Sequence, residues 1–377
     1  MRELAALFLR LGSTAFGGPA AHIAVMESEV VRRRRWLTPE EFLDMMGAAN
    51  LIPGPNSTEM AIHIGYRRAG LAGVLVAGSA FILPAALLTL GLAWAYVRFG
   101  ALPQMTAFFY GAKPAIITVV AQALWRLGRA AVRSRFLAAA ALVALTAAAA
   151  GIDELVVLFA TPALVAGVQL GSRARTREEK TRKMGATAGA LSLGASGAGV
   201  VTAAAPFTMA GLFLFFLKVG SVLFGSGYVL LAFLRADLVE RWHWLTSSQL
   251  LDAVTAGQLT PGPVFTTATF IGYVLGGVKG ALLATIGIFL PAFFFVAVSA
   301  PLVPRLRASQ SAAALLDGLN VASLALLAFV TWQLLRSAIV DFPTALIATA
   351  SALLLFAVRL NPAWIVIGAG VVGIVFG

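Results

Sequence analysis

Pro53-Gly54-Pro55 recurs as Pro261-Gly262-Pro263, each inside an apolar region, and the recurrence belongs to an internal repeat covering most of the chain. Gly12-Ser13-Thr14-Ala15-Phe16-Gly17 matches Gly220-Ser221-Val222-Leu223-Phe224-Gly225 at an offset of 208 residues, Gly12 to Gly220. The same offset carries Val31 to Val239, Trp36 to Trp244, Leu43-Asp44 to Leu251-Asp252, and one Pro-Gly-Pro run to the other. One residue then drops out. At an offset of 207, Ile64-Gly65-Tyr66 matches Ile271-Gly272-Tyr273, Leu83-Pro84-Ala85 matches Leu290-Pro291-Ala292, and Gly111 matches Gly318. A single gap over so long a register identifies a fused duplication. Any fold for this chain must be built twice.

Composition limits what can be built. Of 377 residues, 60% are hydrophobic and 12% charged, with mean hydropathy +0.90. Soluble domains carry about 25% charged residues. The net charge of +12 on so apolar a chain fits basic loops facing anionic lipid rather than nucleic acid. No cysteine is present, and His22, His63 and His243 lack metal-ligand spacing. No cofactor or metal is expected, and a polytopic all-α membrane protein remains.

Apolar stretches recur at Leu4–Met26, Leu71–Val97, Met105–Leu124, Phe136–Ala150 and Leu155–Leu170, then at Phe207–Leu234, Val278–Pro301, Ala312–Leu335, Pro343–Val358 and Ala363–Phe376. Read as spans of a hydrocarbon core about 30 Å thick, they give about ten crossings. Residues 1–171 form the first repeat and 206–377 the second. Between them, 172–205 hold a basic connector and a Gly/Ala-rich linker, whose Ala186–Ala205 is read as staying outside the membrane. Arg32–Arg35, Arg67-Arg68, Arg126–Arg135 and Arg173–Lys183 share the cytoplasmic side only if 38–64 enters the membrane and returns. About five crossings per half then invert the second repeat, placing Asp153 and the Arg235–Arg241 loop outside and Arg305, Arg307 and Arg359 inside.

Pro-Gly-Pro breaks a helix, and the freed backbone groups must line a cavity or be buried in protein. Matched breaks in two halves point to a transporter's substrate site, and the helix that restarts after each break favours an anion at its N-terminus. Pro53, Gly54 and Pro55 lead into Asn56, Ser57 and Thr58; Pro261, Gly262 and Pro263 lead toward Thr266 and Thr267. A helix kink serving only packing is the plainer alternative. Gly17, Gly18 and Gly225 admit close approach either of a ligand or of a neighbouring helix. Arg10 and Lys218 are matched cations in apolar surroundings, where a charge faces an interior or snorkels to the interface. As an interior pair they would make a positive centre for an anion. Lys113 is a second, unmatched cation. Glu59, beside the first break, is a proton-coupling candidate or else a counter-ion to Lys113 or Arg10. Glu29 and Asp237 are matched acids read as loop ends.

The ordered set Phe16-Gly17-Gly18, Val31, Trp36, Pro53-Gly54-Pro55 and Gly65-Tyr66, repeated as Phe224-Gly225, Val239, Trp244, Pro261-Gly262-Pro263 and Gly272-Tyr273, resembles the chromate ion transporter family. The resemblance covers about residues 4–130 and 212–340 and marks a long-chain member with two fused halves. It implies export of chromate across the bacterial plasma membrane, driven by membrane potential or a proton gradient, with sulfate as competitor. Gly225-Ser226-Gly227 stands where the first half has a Gly-Gly pair, so asymmetric binding by the halves is expected. The partners expected are chromate or sulfate and membrane lipid. Oligomeric state is left open, a homodimer included. Two other classes compete: an anion channel, since broken helices also build selectivity filters, and a membrane enzyme acting on lipid headgroups through Ser57, Glu59 and His63.

Overall fold

The computed structural model describes residues 1–15, 18–50, 52–100, 102–181, 206–224, 229–302, 310–358 and 360–376. Among these residues the chain forms fourteen α-helices and no strand. Four helices are long and apolar enough to cross a membrane: Asn56–Phe99, Pro103–Ala131, Val264–Ser299 and Ala314–Ala338. Arg135–Ala149, Glu154–Gln169, Met209–Val222, Phe342–Val358 and Pro362–Val375 are shorter apolar helices.

The first apolar stretch, expected as one span, is instead a hairpin, so the described residues hold four apolar crossings per half rather than the five on which the expected inversion rests. Helix α1 (Arg2–Thr14) is about 20 Å long at 1.5 Å per residue, too short to cross. It ends at Ala15 in extended conformation, and α2 (Gly18–Glu27) restarts at Gly18, whose φ of 76° a helix cannot continue through. The chain then returns: Arg34 pairs with Glu3 at 2.5 Å and Arg10 with Glu29 at 2.6 Å. A π-helical turn, Ser28–Arg33, follows α2. Phe207–Leu234 breaks at the equivalent place. Its α8 (Met209–Val222) stops at Leu223 in the same extended conformation as Ala15, and α9 (Leu230–Phe233) runs into a π-turn at Leu234–Arg241.

A second hairpin follows each of these. Helix α3 (Pro39–Ala49) starts on a capping box in which Thr38 and Glu41 satisfy each other's amides. Beyond Pro53-Gly54-Pro55, α4 (Asn56–Phe99) restarts and turns sharply at Ala69-Gly70, where Gly70 has φ 59°. The two ends of 38–68 meet: Arg67 bonds Glu41 at 2.7 Å, and Arg34 and Arg68 both lie over the Trp36 ring. The Arg67 guanidinium and the Thr38 amide hold the Glu41 carboxyl below its ordinary value. In the second half, α10 (Ser247–Leu259) and α11 (Thr267–Ser299) repeat the hairpin, with Gly277 at φ 59° in place of Gly70. The missing residue of the repeat is absorbed here. At the first break Pro55 O takes both the Thr58 and Glu59 amides as α4 opens directly at Asn56, whereas at the second Pro263 O takes the Thr266 amide in a short 3-10 turn, Val264–Thr266, that precedes α11.

The remaining helices lock the halves together. They are α5 (Pro103–Ala131), α6 (Arg135–Ala149) and α7 (Glu154–Thr181), then α12 (Gln310–Ala338), α13 (Phe342–Leu353) and α14 (Pro362–Phe376). Helix α5 packs on α14 and α13, and α12 packs on α7 and α6, so each half grips the other's C-terminal helices. The glycines mark this exchange. A Cβ at Gly111 would overlap Ala369 O, and one at Gly318 would overlap Pro162; Pro162 and Ala369 are themselves 207 apart. Such reciprocal contacts are the mark of a twofold relation. Helix α7 runs to Thr181, past the expected end of the first repeat at 171. The stretch Ala186–Ala205, and Arg305, Arg307 and Arg359, lie outside the described residues.

Candidate functional site

The hairpin tips meet in two pairs, each pair drawn from both halves. Gly54 N–H, in the first Pro-Gly-Pro break, donates to Leu223 O at the tip of the α8–α9 hairpin, 2.7 Å away. Gly262 N–H, in the second break, donates to Ala15 O at the tip of α1–α2, 3.0 Å away. Both glycines have positive φ, 139° and 84°. A Cβ at Gly54 would sit 3.5 Å from Ala292, and one at Gly262 would sit 2.9 Å from Ala85, again equivalent residues. Each break is therefore clamped by the opposite half, beside Pro84 or Pro291 of a long helix. The plain packing-kink reading accounts for this clamp but not for the polar groups beside it.

The two breaks differ in polar chemistry. At the second, every threonine hydroxyl is engaged. Thr266 donates to Pro263 O at 2.9 Å, Thr267 to Val264 O at 2.8 Å and Thr260 to Gly257 O at 3.1 Å. Thr89 of α4, buried, reaches Thr260 and Thr266 at 3.3 and 3.2 Å. At the first break the polar groups are buried and open. Thr58 Oγ1, both carboxylate oxygens of Glu59, Asn56 Oδ1 and His63 Nε2 have no hydrogen-bond partner among the described residues. Thr58 and Glu59 are fully buried, and Ser57 and His63 nearly so. Asn56 Nδ2 is held by Asn50 Oδ1 at 2.6 Å. A Cβ on Gly54 would overlap Glu59 Oε1, so the carboxyl lies back against the break itself.

The intramembrane cations are placed differently from the sequence expectation. Arg10 and Lys218 are each paired within their own half, Arg10 with Glu29 and Lys218 with Asp237 at 3.0 Å. Glu29 also takes Arg33 and Arg34, and Asp237 takes Arg241, which reaches Asp153. Arg10–Glu29–Arg33 and Lys218–Asp237–Arg241 are one duplicated cluster at the 208 offset. Glu29 and Asp237 are buried acids in π-turns rather than loop ends. Lys113 pairs across the halves with Asp252 at 3.0 Å and donates to Ser248 Oγ at 2.6 Å, while Tyr96 O–H donates to Asp252 Oδ2 at 2.9 Å. Glu59 therefore serves as counter-ion to neither Lys113 nor Arg10. Gly18 opens α2; Gly17 and Gly225 lie outside the described residues.

Thr89 and Asp252 are part of the polar interior that sequence reasoning missed. Thr89 has Val296 as its counterpart and left no repeat signal; Asp252 was visible as the match of Asp44, but its pairing with Lys113 was not. No hydrogen bond joins Ser57 to His63, so a nucleophile–base pair is not assembled there. An apolar cavity of about 440 Å³ between α4 and α11, lined by Leu83, Leu87, Leu282, Ile286 and Leu290, offers an anion only the Thr269–Thr285 hydroxyl pair and Ser79.

A family model described as Chromate transporter matches residues 2–168 and 210–374. The chain is 35% identical to the chromate transport protein of Cupriavidus metallidurans, over 100% of this chain and 93% of that protein. It is 30% identical to the probable chromate transport protein of Synechococcus elongatus, over 100% and 95%. An uncharacterized transporter of Methanocaldococcus jannaschii is 27% identical over 80% of this chain. No solved structure matches.

Proposed function

The chain belongs to the chromate transporter family, transporters rather than enzymes, and from that premise we propose that it is a secondary carrier exporting chromate, with sulfate as competing dianion, across the bacterial plasma membrane. It is a multi-pass membrane protein. The observation that carries the reading is the open polar set at the first break. Thr58 and Glu59 amides already bond Pro55 O, so the helical ladder leaves the Asn56 and Ser57 amides unserved. With the Thr58 hydroxyl and the positive end of α4, they offer an oxyanion convergent donors where the repeats meet. The second break, with Thr266 and Thr267 already bonded, is its self-satisfied counterpart. Arg10 and Lys218 act at one remove, as half-exposed cations that steer an anion toward the tips.

The proposed topology is inverted, on the placement of the hairpin bases and not on the crossing count, which is even in each half among the described residues. The hairpins of the first half approach the shared tips from the side of Arg34 and Arg67. Arg241, the counterpart of Arg33, is instead bonded to Asp153, the loop between α6 and α7. Hairpins entering from opposite faces and meeting tip to tip give the carrier two mouths and one middle. A negative-inside potential drives a dianion outward, worth about 2.3 kcal/mol per charge per 100 mV.

Flux of radiolabelled chromate and sulfate in proteoliposomes tests the reading. Saturable chromate flux that sulfate inhibits and an imposed potential accelerates is expected. Linear, non-saturating flux supports the channel, and absent flux defeats transport altogether.

A further inference from the structure

Resting on the reading that the first break binds the dianion, we infer that Glu59 makes the proton and the anion bind together, so that both move in the same direction through the carrier. Glu59 is the fourth residue of α4, fully buried, with both oxygens unpartnered among the described residues and its carboxyl folded onto Gly54. The donors for the anion lie within the same helical turn. A charged carboxylate there repels a dianion, and a proton on Glu59 removes that repulsion. Each ligand therefore strengthens the other's binding, and linkage makes the effect reciprocal.

The surrounding charges leave this role to Glu59. On the elements packed against the start of α4, Arg10 of α1 is taken by Glu29, Asp252 of α10 by Lys113 and Tyr96, and Glu41 of α3 by Arg67. His22 of α2 holds Ala15 O at 3.0 Å, Asp44 lies on α3 and Glu40 is exposed at its start, Lys279 of α11 is exposed beyond the Gly277 turn, and His63 is one turn on from Glu59. None of the ion pairs formed by these groups includes Glu59.

The consequence runs against a simple proton-for-anion exchange. A cycle that carries one proton with one dianion moves one net negative charge. The inside-negative potential still drives it outward, but an acidic exterior opposes it. Acidifying the side from which the anion departs speeds the flux.

The full-length protein, purified in lipid nanodiscs, is titrated with sodium sulfate and with sodium chromate across a pH series in weak buffer. Calorimetry reads the affinity and a pH electrode the protons taken up. Chromate itself takes up a proton near neutrality, so the chain's own proton is the difference between wild type and Glu59→Gln. The expected result is uptake of one more proton per anion by wild type, with affinity falling about tenfold per pH unit where Glu59 is charged. Glu59→Gln binds with an affinity lacking that slope. Proton release on binding, no difference between the two proteins, or a slope lost in His63→Gln but kept in Glu59→Gln overturns the inference. A well-folded Glu59→Gln that binds neither anion overturns it as well. A wild type that binds neither anion at any pH instead defeats the underlying assignment of the site, and the inference with it.

Discussion

Thr58 and Thr266 stand at the same turn of the two repeats, yet their hydroxyls meet different surroundings. Thr266 donates to Pro263 O and receives Thr89, whereas the Thr58 hydroxyl has no partner among the described residues. Thr266→Val therefore removes hydrogen bonds and costs about 1–2 kcal/mol of stability. Thr58→Val removes none, so its thermal unfolding midpoint stays at or above that of wild type. Its chromate affinity falls about ten- to a hundredfold, the worth of one hydrogen bond to a charged group. A Thr58→Val protein that loses stability but keeps affinity contradicts the site. The cations separate in the same way. Lys218→Gln leaves buried Asp237 with Arg241 alone, while Arg10→Gln leaves Glu29 with Arg33 and Arg34. Lys218→Gln is accordingly the more destabilising of the two, as read by unfolding midpoint. Arg32, exposed and paired only with Glu27, is the neutral control: Arg32→Gln leaves both flux and midpoint unchanged.

Two kinds of glycine shape the elements, and they predict different losses. Gly70 and Gly277 turn the long helices at φ 59° with open space where a Cβ would go. Gly70→Ala costs only backbone strain, about 1–3 kcal/mol, since φ 59° with ψ −145° is a region essentially confined to glycine. Gly12 and Gly220 have ordinary helical conformations, but a Cβ would overlap Phe81 O or Ile288 O. Gly12→Ala pushes α1 off α4, and the Gly12 carbonyl lies 3.0 Å from where a Cβ on Gly262 would stand, so the shift reaches the tips. Chromate flux therefore falls much further in Gly12→Ala than in Gly70→Ala at matched expression. The breaks and these turns were legible in the sequence, since prolines declare the former and the apolar runs from Leu71 and Val278 begin just past the latter. The folding back of Leu4–Met26 was not. A run of that length has the hydropathy of a span, and a bend at Gly18 barely alters it. What reveals the hairpin is the ion pair between Arg34 and Glu3, and an ion pair between distant residues has no periodicity to read. Glu29 and Asp237 were visible as matched acids, but their burial depends on π-turns that no spacing announces. The open site at the first break was legible as a position and not as a contrast: only the contacts show that the second break satisfies itself.

At the scale of the whole molecule, the duplication has produced interlocked halves rather than two side-by-side domains. Each half lends its last two helices to the other, and each break is closed by the other's hairpin tip. The proposed inverted arrangement predicts that Arg32→Cys and Glu240→Cys, both at exposed positions in an otherwise cysteine-free chain, label from opposite faces of the membrane. Labelling from one face places the repeats in parallel and removes the two-mouthed route. Passage of the dianion through the first break is directly measurable, because the chain has no native cysteine. Ser57→Cys in sealed vesicles of defined orientation is to be reacted with a small membrane-impermeant thiol reagent, with and without chromate. Ser57→Cys is expected to label from either face and chromate to slow the reaction from both, while Thr267→Cys, at the clamped second break, gains no protection. Ser57→Cys reactivity indifferent to chromate, with protection at Thr267→Cys instead, would place the anion in the wrong half of the molecule for this account.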